Sequence, residues 1–203
     1  MDGSFSNDGT FNQIDPTTTK TVTFAIVGFD LFENVNNAAN PSHNIAVLPI
    51  DEYQVWTRCS CKAMAVTTSG VFHDGLRKWL SNNVATCFPD FHQYITKTKH
   101  KSFGGSASSL VATEDLVFIP SSGNFGYTNS SVQEEPKFPY FSSNSLILDW
   151  FEDIGVGSEG VYTRSLISDK IVNPRVQSYY QSFQFNMASS SDCAGTVFCA
   201  CIG

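Results

Sequence analysis

Positive charge is scarce in this 203-residue chain: Lys20 is the only lysine or arginine among residues 1–57, and the whole sequence carries a formal charge of −7. With no cationic arm to neutralise phosphates, nucleic-acid binding by an N-terminal tail is disfavoured. Charge of either sign is thin, at 15% of residues against about a quarter in ordinary domains. No apolar run approaches the ~18 residues of a membrane helix. The opening MDGSFSNDGTFNQ lacks the basic and apolar regions of a secretory signal. The expectation is a chain with no membrane span and no export signal, in which the acceptor pattern Asn129-Ser130-Ser131 carries little meaning.

Catalytic signatures are missing as well. There is no G-x-S-x-G elbow, Gly-rich phosphate loop or dinucleotide fingerprint. His43, His73, His92 and His100 stand apart, with no spacing that would bring two rings to one metal. Cys87 lies five residues before His92 in CFPDFH, but spacing alone does not set a thiol against an imidazole. The chain is therefore expected not to be an enzyme.

What the chain does have is Ser, Thr and Asn in quantity and 13% aromatic residues, a composition that argues for a folded core rather than disorder. The surface this implies is neutral and polar, suited to packing against neighbours or meeting hydroxyl-rich ligands. The length fits one substantial core. Residues 1–20, polar and rich in Gly, Asn, Asp and Thr, are expected to form an arm, and residues 21–203 a single domain.

Period-two alternation with β-branched and aromatic enrichment marks the strands. It occurs in TVTFAIVGFDLF, IAVLPI, YQVWTRCSCKAMAVTT, QYITKTKHKSF (93–103), SLVATEDLVFIP (109–120), NSLILDWF (144–151), GVYTRSLIS (160–168), VQSYYQSFQFNM (176–187) and GTVFCACI (195–202). One short helix is expected in HDGLRKWLSNNVA, where Leu76, Trp79, Leu80 and Val84 share a side and Asp74 can cap. About eight or nine strands with turn-rich connections and one helix fit an all-β, two-sheet sandwich with jelly-roll connections, not alternating βαβ units.

The six cysteines include two C-x-C pairs. On a strand, Cys59 and Cys61 share a face with Val55, Thr57, Ala63 and Ala65. Val197, Cys199 and Cys201 likewise oppose Phe198, Ala200 and Ile202. Buried filler is the plain expectation. A four-thiolate zinc site suits C-x2-4-C turns better, and disulfides would need an oxidising compartment; Cys87 and Cys193 show no recognisable spacing.

Three further groups are candidates for contact. The irregular span 121–143 carries Phe125, Tyr127, Phe138, Tyr140 and Phe141, an aromatic loop expected to serve as a subunit interface or ligand platform. Lys97, Lys99 and Lys101 line one side of a strand with Thr98 and His100 on the other. Such a row usually protects an exposed edge, and offers nucleic acid only a weak, salt-sensitive contact. Asp149, Glu152, Asp153 and Glu159, beside three glycines, present oxygens suited to Ca²⁺, although a solvated acidic loop is the simpler account. Paired carboxylates for glycoside hydrolysis would need two of these across a cleft at a defined separation, which sequence spacing does not give.

The polar lead-in before TVTFAIVGF, the strand YQVWTRCSCKAMAVTTSG, a helix at 74–84 between strands and a chain ending inside an apolar strand together resemble the single jelly-roll coat proteins of small icosahedral viruses. The likeness spans roughly residues 20 to 202. It implies a non-enzymatic capsid or other virion protein that assembles with copies of itself, and with other virion proteins, through loop and edge contacts. Many such proteins hold the genome with an Arg/Lys-rich arm, whereas residues 1–20 here contain one Lys, so genome contact is expected to be weak. Interfaces lose charge and gain aromatics, which ranks assembly first. The alternative is a carbohydrate-binding sandwich, lectin-like or receptor-binding, with Trp56, Trp79 and Trp150 as stacking candidates, of which Trp79 and Trp150 also fit core positions.

Overall fold

A computed structural model of the chain describes residues 3–5, 11–13, 22–35, 43–50, 80–103, 110–126, 135–154, 161–165, 173–179, 182–188 and 197–203. The strand expected around Cys59 and Cys61, most of the helix at 74–84, Tyr127, Glu159 and Cys193 lie outside these residues. Among those described, strands predominate and every strand pairing is antiparallel, in keeping with the all-β class that the alternation implies.

The central sheet runs β3 (Phe24–Phe29), β5 (Ile45–Pro49), β13 (Cys199–Ile202), β6 (Ile95–Thr96), with β9 (Val117–Phe118) also paired to β13. Its strands alternate between two apolar layers. Val47, Val117, Phe198 and Ala200 face one layer with Leu80 and Phe88. Ala46, Leu48, Phe118, Val197, Cys199 and Cys201 face the other. A sheet buried on both faces reads as unbroken apolar sequence, which is what IAVLPI and VFCACI provide.

A second sheet orders β4 (Glu33–Asn34), β7 (Thr98–Phe103) and β8 (Leu110–Asp115). A third orders β10 (Val161–Tyr162), β11 (Asn173–Tyr179) and β12 (Ser182–Ala188), and β1 (Gly3–Phe5) pairs with β2 (Phe11–Gln13) inside the N-terminal segment. The stretch 176–187, expected to be one strand, is instead two, with Val176 opposite Phe185. The stretch 109–120 breaks into β8 and β9 at Leu116. Of the strand expected at 160–168, residues 161–165 are described, and among these Val161–Tyr162 forms the paired strand.

Residues 80–82 are helical, and α1 (Val84–Cys87) follows them, so the C-terminal part of the helix expected at 74–84 is present. The larger departure is α2 (Asn144–Asp153), a ten-residue helix where a strand was expected at 144–151. Ser143 in extended backbone accepts the Leu146 N–H on its side chain at 3.4 Å, a helix start that satisfies an otherwise orphaned donor. Ile147, Trp150, Phe151 and Ile154, spaced three, one and three apart, are all buried in one layer, and that spacing is helical. Trp150 donates its indole N–H to the Pro49 carbonyl at 2.8 Å, tying α2 to the end of β5. With its ring interior, Trp150 is no platform for a sugar.

The aromatic span also turns inward, which corrects its expected role. Phe125, Phe138 and Phe141 have no exposed surface and cannot meet a partner or ligand; Tyr140 is partly buried against the same layer. Phe125 and Phe141 stack at 5.4 Å, and both lie against Trp150, at 5.6 and 5.2 Å. Asn124 holds the loop to them: its side chain accepts from Ser121 N–H and donates to the Pro136 carbonyl, while its carbonyl accepts from Phe138 N–H. Gly126 ends the 3-10 turn Gly123–Phe125 at φ 95°, a backbone state that favours glycine.

On β3 a bulge separates Ile26 from Gly28. It moves Val27 and Gly28 inward together and leaves Ile26 and Phe29 exposed. A Cβ at Gly28 would collide with the Leu31 side chain and lie 3.1 Å from Pro139.

Truncating Phe141 to Ala should cost about 3–5 kcal/mol, a large share of the ~5–15 kcal/mol that holds a domain together. Urea unfolding of the isolated chain measures it. An unchanged midpoint would return Phe141 to the surface role.

Candidate functional site

Between β7 of the second sheet and β9 and β13 of the central sheet sits a set of buried polar groups that no apolar pattern calls for. On β7 the side chains alternate, Thr98 and His100 fully inside and Lys99 and Lys101 outside. His100 packs its ring at 4.0 Å from Phe118 and 4.7 Å from Phe32. Its Nε2 lies 2.8 Å from Thr98 Oγ1 and its Nδ1 3.3 Å from Glu135 Oε1. The Nδ1 contact lacks the angles of a hydrogen bond, but a carboxylate beside Nδ1 favours the proton of the neutral ring there and leaves Nε2 to accept from the Thr98 hydroxyl.

Glu135 is the hub. Its Oε1 also accepts the Lys101 N–H at 2.8 Å, and its Oε2 forms an ion pair with Arg164 Nη2. That ion contact is close without the angles of a hydrogen bond, and among the described residues Arg164 Nε and Nη1 have no hydrogen-bond partner. The guanidinium lies 5.5 Å from the Phe118 ring centroid. The Arg164 N–H donates to the Pro120 carbonyl, and Ser165 Oγ accepts from Ser122 N–H, docking 161–165 onto 120–125. Three segments far apart in sequence thus meet at one carboxylate.

Charge sorts itself accordingly. Burial, then the Arg164 charge, push the His100 pKa below its ordinary 6.5, while Glu135 pulls the other way. Burial alone would raise the Glu135 pKa, but Arg164, His100 and the Lys101 N–H outweigh it and the net shift is downward. The cluster therefore holds a neutral imidazole, one carboxylate and one guanidinium at neutral pH.

Cys199 and Cys201 flank the cluster from β13 as free, buried thiols, which is the filler role that the alternation implies for this pair. Burial pushes the Cys201 thiol up to about 12, against the opposing pull of its hydrogen bond with Thr98, and Cys199 well above its ordinary value. A thiol that stays protonated and has no exposed surface is inert as a nucleophile or metal ligand. The chain Cys201, Thr98, His100, Glu135 has the residue types of a catalytic relay and none of its access.

The other expected sites are not brought together here. β7 is an interior strand of its sheet, flanked by β4 and β8, and not the exposed edge that the lysine row suggested. Lys99 pairs with Glu33, which raises its pKa, and Lys97 lies 3.7 Å from Glu114. Asp149, Glu152 and Asp153 are exposed on α2. Among the described residues no group of three or more metal-binding side chains converges, and no helix is long and apolar enough to cross a membrane. His43 is exposed, 3.7 Å from Asp30, and His92 is exposed with Nδ1 3.0 Å from the Pro89 carbonyl.

The alternation of KTKHK did place His100 opposite the lysines, but nothing near Glu135 or Arg164 in sequence marks them as its partners. No family model matches the chain, and no curated protein or solved structure matches it significantly.

In the native protein at about pH 8, the peptide carrying Cys199 and Cys201 should stay unmodified by iodoacetamide while the same peptide in urea reacts fully. Mass spectrometry of the digested protein reads this. Equal labelling in both states would mean that β13 is open.

Proposed function

We propose that this protein is a non-enzymatic structural subunit that assembles with copies of itself, a coat or other virion protein built on a jelly-roll type of sandwich. The observation that carries the proposal is the pair Ile26 and Phe29, 50% and 62% exposed, on β3. β3 is held by β5 and, at the Val27 carbonyl, by the Tyr140 N–H, which fixes these two large apolar side chains on the outside of a structured strand. β3 (FAIVGF) carries no charged side chain beside them. Exposed apolar groups of this kind mark association sites.

Two further features fit the proposal. The relay residue types Cys201, Thr98, His100 and Glu135 are all buried, and low charge favours extensive subunit contacts. Contact with nucleic acid is a minor part of it, since Lys97 and Lys99 already face carboxylates. The proposal calls for no cofactor, and the place of such a protein is the virion.

Light scattering and electron microscopy of the purified chain test it. The expected result is concentration-dependent growth into uniform rings or shells, with Phe29→Asp held at the 22.3 kDa monomer and its unfolding midpoint unchanged within about 0.5 kcal/mol. A wild-type chain that remains a monomer at all concentrations contradicts the proposal, and retention of that monomer on a glycan column would favour the carbohydrate-binding alternative.

A further inference from the structure

We propose that the His100–Glu135–Arg164 cluster is an acid-operated latch, closed at neutral pH, whose protonation releases segments 135–141 and 161–165 from β7 and β9. The inference rests on the geometry of the cluster and is independent of what the chain assembles into.

Three observations carry it. First, the polar contacts that join 135 to β7 and to Arg164 pass through one side chain: Glu135 receives the Lys101 N–H, faces His100 Nδ1 and pairs with Arg164, while other hydrogen bonds of the two segments run to 120–124 and Val27. Second, each of the three side chains is at most 5% exposed, so water cannot screen a charge imbalance. Third, the closed cluster is balanced, one carboxylate against one guanidinium. A proton on either His100 or Glu135 leaves one positive charge without a partner.

Among the described residues no other group facing His100 supplies that partner. On β7, Lys99 and Lys101 lie on the opposite face. From β4, Glu33 is engaged with Lys99 and Asn34 is neutral. From β8, Thr113 stands across from His100 in register, Glu114 is taken by Lys97, and Asp115 favours the imidazolium but ranks below Glu135 and Arg164 in effect. From β9 comes Phe118, from the segment before β4 comes Phe32, and from β13 come two protonated thiols.

The sign follows directly. The folded-state pKa of His100 lies below 6.5, so as pH falls through 6.5 the opened state binds a proton that the closed state refuses. Opening becomes more favourable by up to about tenfold per pH unit. Glu135, also shifted below its ordinary 4.5, adds a second step at lower pH. Opening withdraws Phe138 and Phe141 from the Trp150 layer and thereby exposes apolar surface.

Hydrogen exchange read by mass spectrometry, corrected for the intrinsic effect of pH, tests the latch on the full chain. Between about pH 7.4 and 5.5 the peptides covering 98–103 and 135–141 should open about tenfold more. In His100→Phe, which keeps a ring between Phe32 and Phe118, that pH dependence should vanish. Equal protection of the wild type at both pH values, or an unchanged pH response in His100→Phe, overturns the proposal. If that variant does not fold, NMR of the ¹⁵N-labelled imidazole of the wild type decides: a neutral ring in the protected form, with imidazolium only in the open form, supports it. Titration near pH 6.5 with 135–141 still protected contradicts it.

Discussion

Glu135 is a carboxylate buried among aromatic rings, and such a group is tolerable only if its charge is matched and its lone pairs are engaged. Arg164 supplies the charge, and the Lys101 N–H and the His100 ring occupy the other oxygen. The location of the rest follows from this. The backbone at 135 must come within reach of β7, which carries Phe138 and Phe141 into the layer beneath α2. The backbone at 164 must come over Phe118, which sets the segment after β10 against Pro120 and Ser122. An apolar core would hold these loops by area alone; the ion cluster fixes which residue meets which.

The inner strands β5 and β13 make that possible because both of their faces are buried. One face is covered by Leu80, Phe88 and the partly buried Phe91, the other by the aromatic loop and α2. Small side chains at Ala46, Cys199 and Cys201 leave room on the second face for Phe125, Phe138 and Trp150. Larger residues there would overfill a layer already packed at organic-crystal density. The two thiols are therefore chosen for volume, and their neutrality keeps the charge balance of the neighbouring cluster intact.

Much of this was legible from period-two alternation alone. The opposition of Cys199 and Cys201 to Phe198 and Ala200 is local, and so are the strands at 24–29, 45–49 and 98–103. The misjudged elements show where locality ends. NSLILDWF satisfies both a strand and a helix pattern over eight residues, and the decision comes from Ser143 as a cap and Ile154 beyond the window, together with the Trp150 bond to Pro49, more than ninety residues away. The aromatic loop looked like a surface because Pro, Ser and Gly surround it, yet Asn124 satisfies its backbone and lets it be buried. The polar cluster was invisible for a simpler reason. Its members, 100, 135 and 164, are paired only by the fold, and a lone His, Glu or Arg in sequence has no period to betray it.

The same arrangement separates interior from exterior. His100, Glu135, Arg164, Cys199 and Cys201 are buried, while β3 presents Ile26 and Phe29 to the outside. The proposed self-assembly rests on those two exposed side chains, and the proposed latch on the buried cluster.

A double-mutant cycle on Glu135→Gln and Arg164→Met, read by equilibrium unfolding at neutral pH, tests the organising role of the carboxylate most directly. Each single change should cost about 3–5 kcal/mol, and the double change much less than their sum, giving a coupling on the order of 2 kcal/mol or more. Additive losses, within about 0.5 kcal/mol, would mean that Glu135 and Arg164 do not depend on one another and that the loops are held by packing alone.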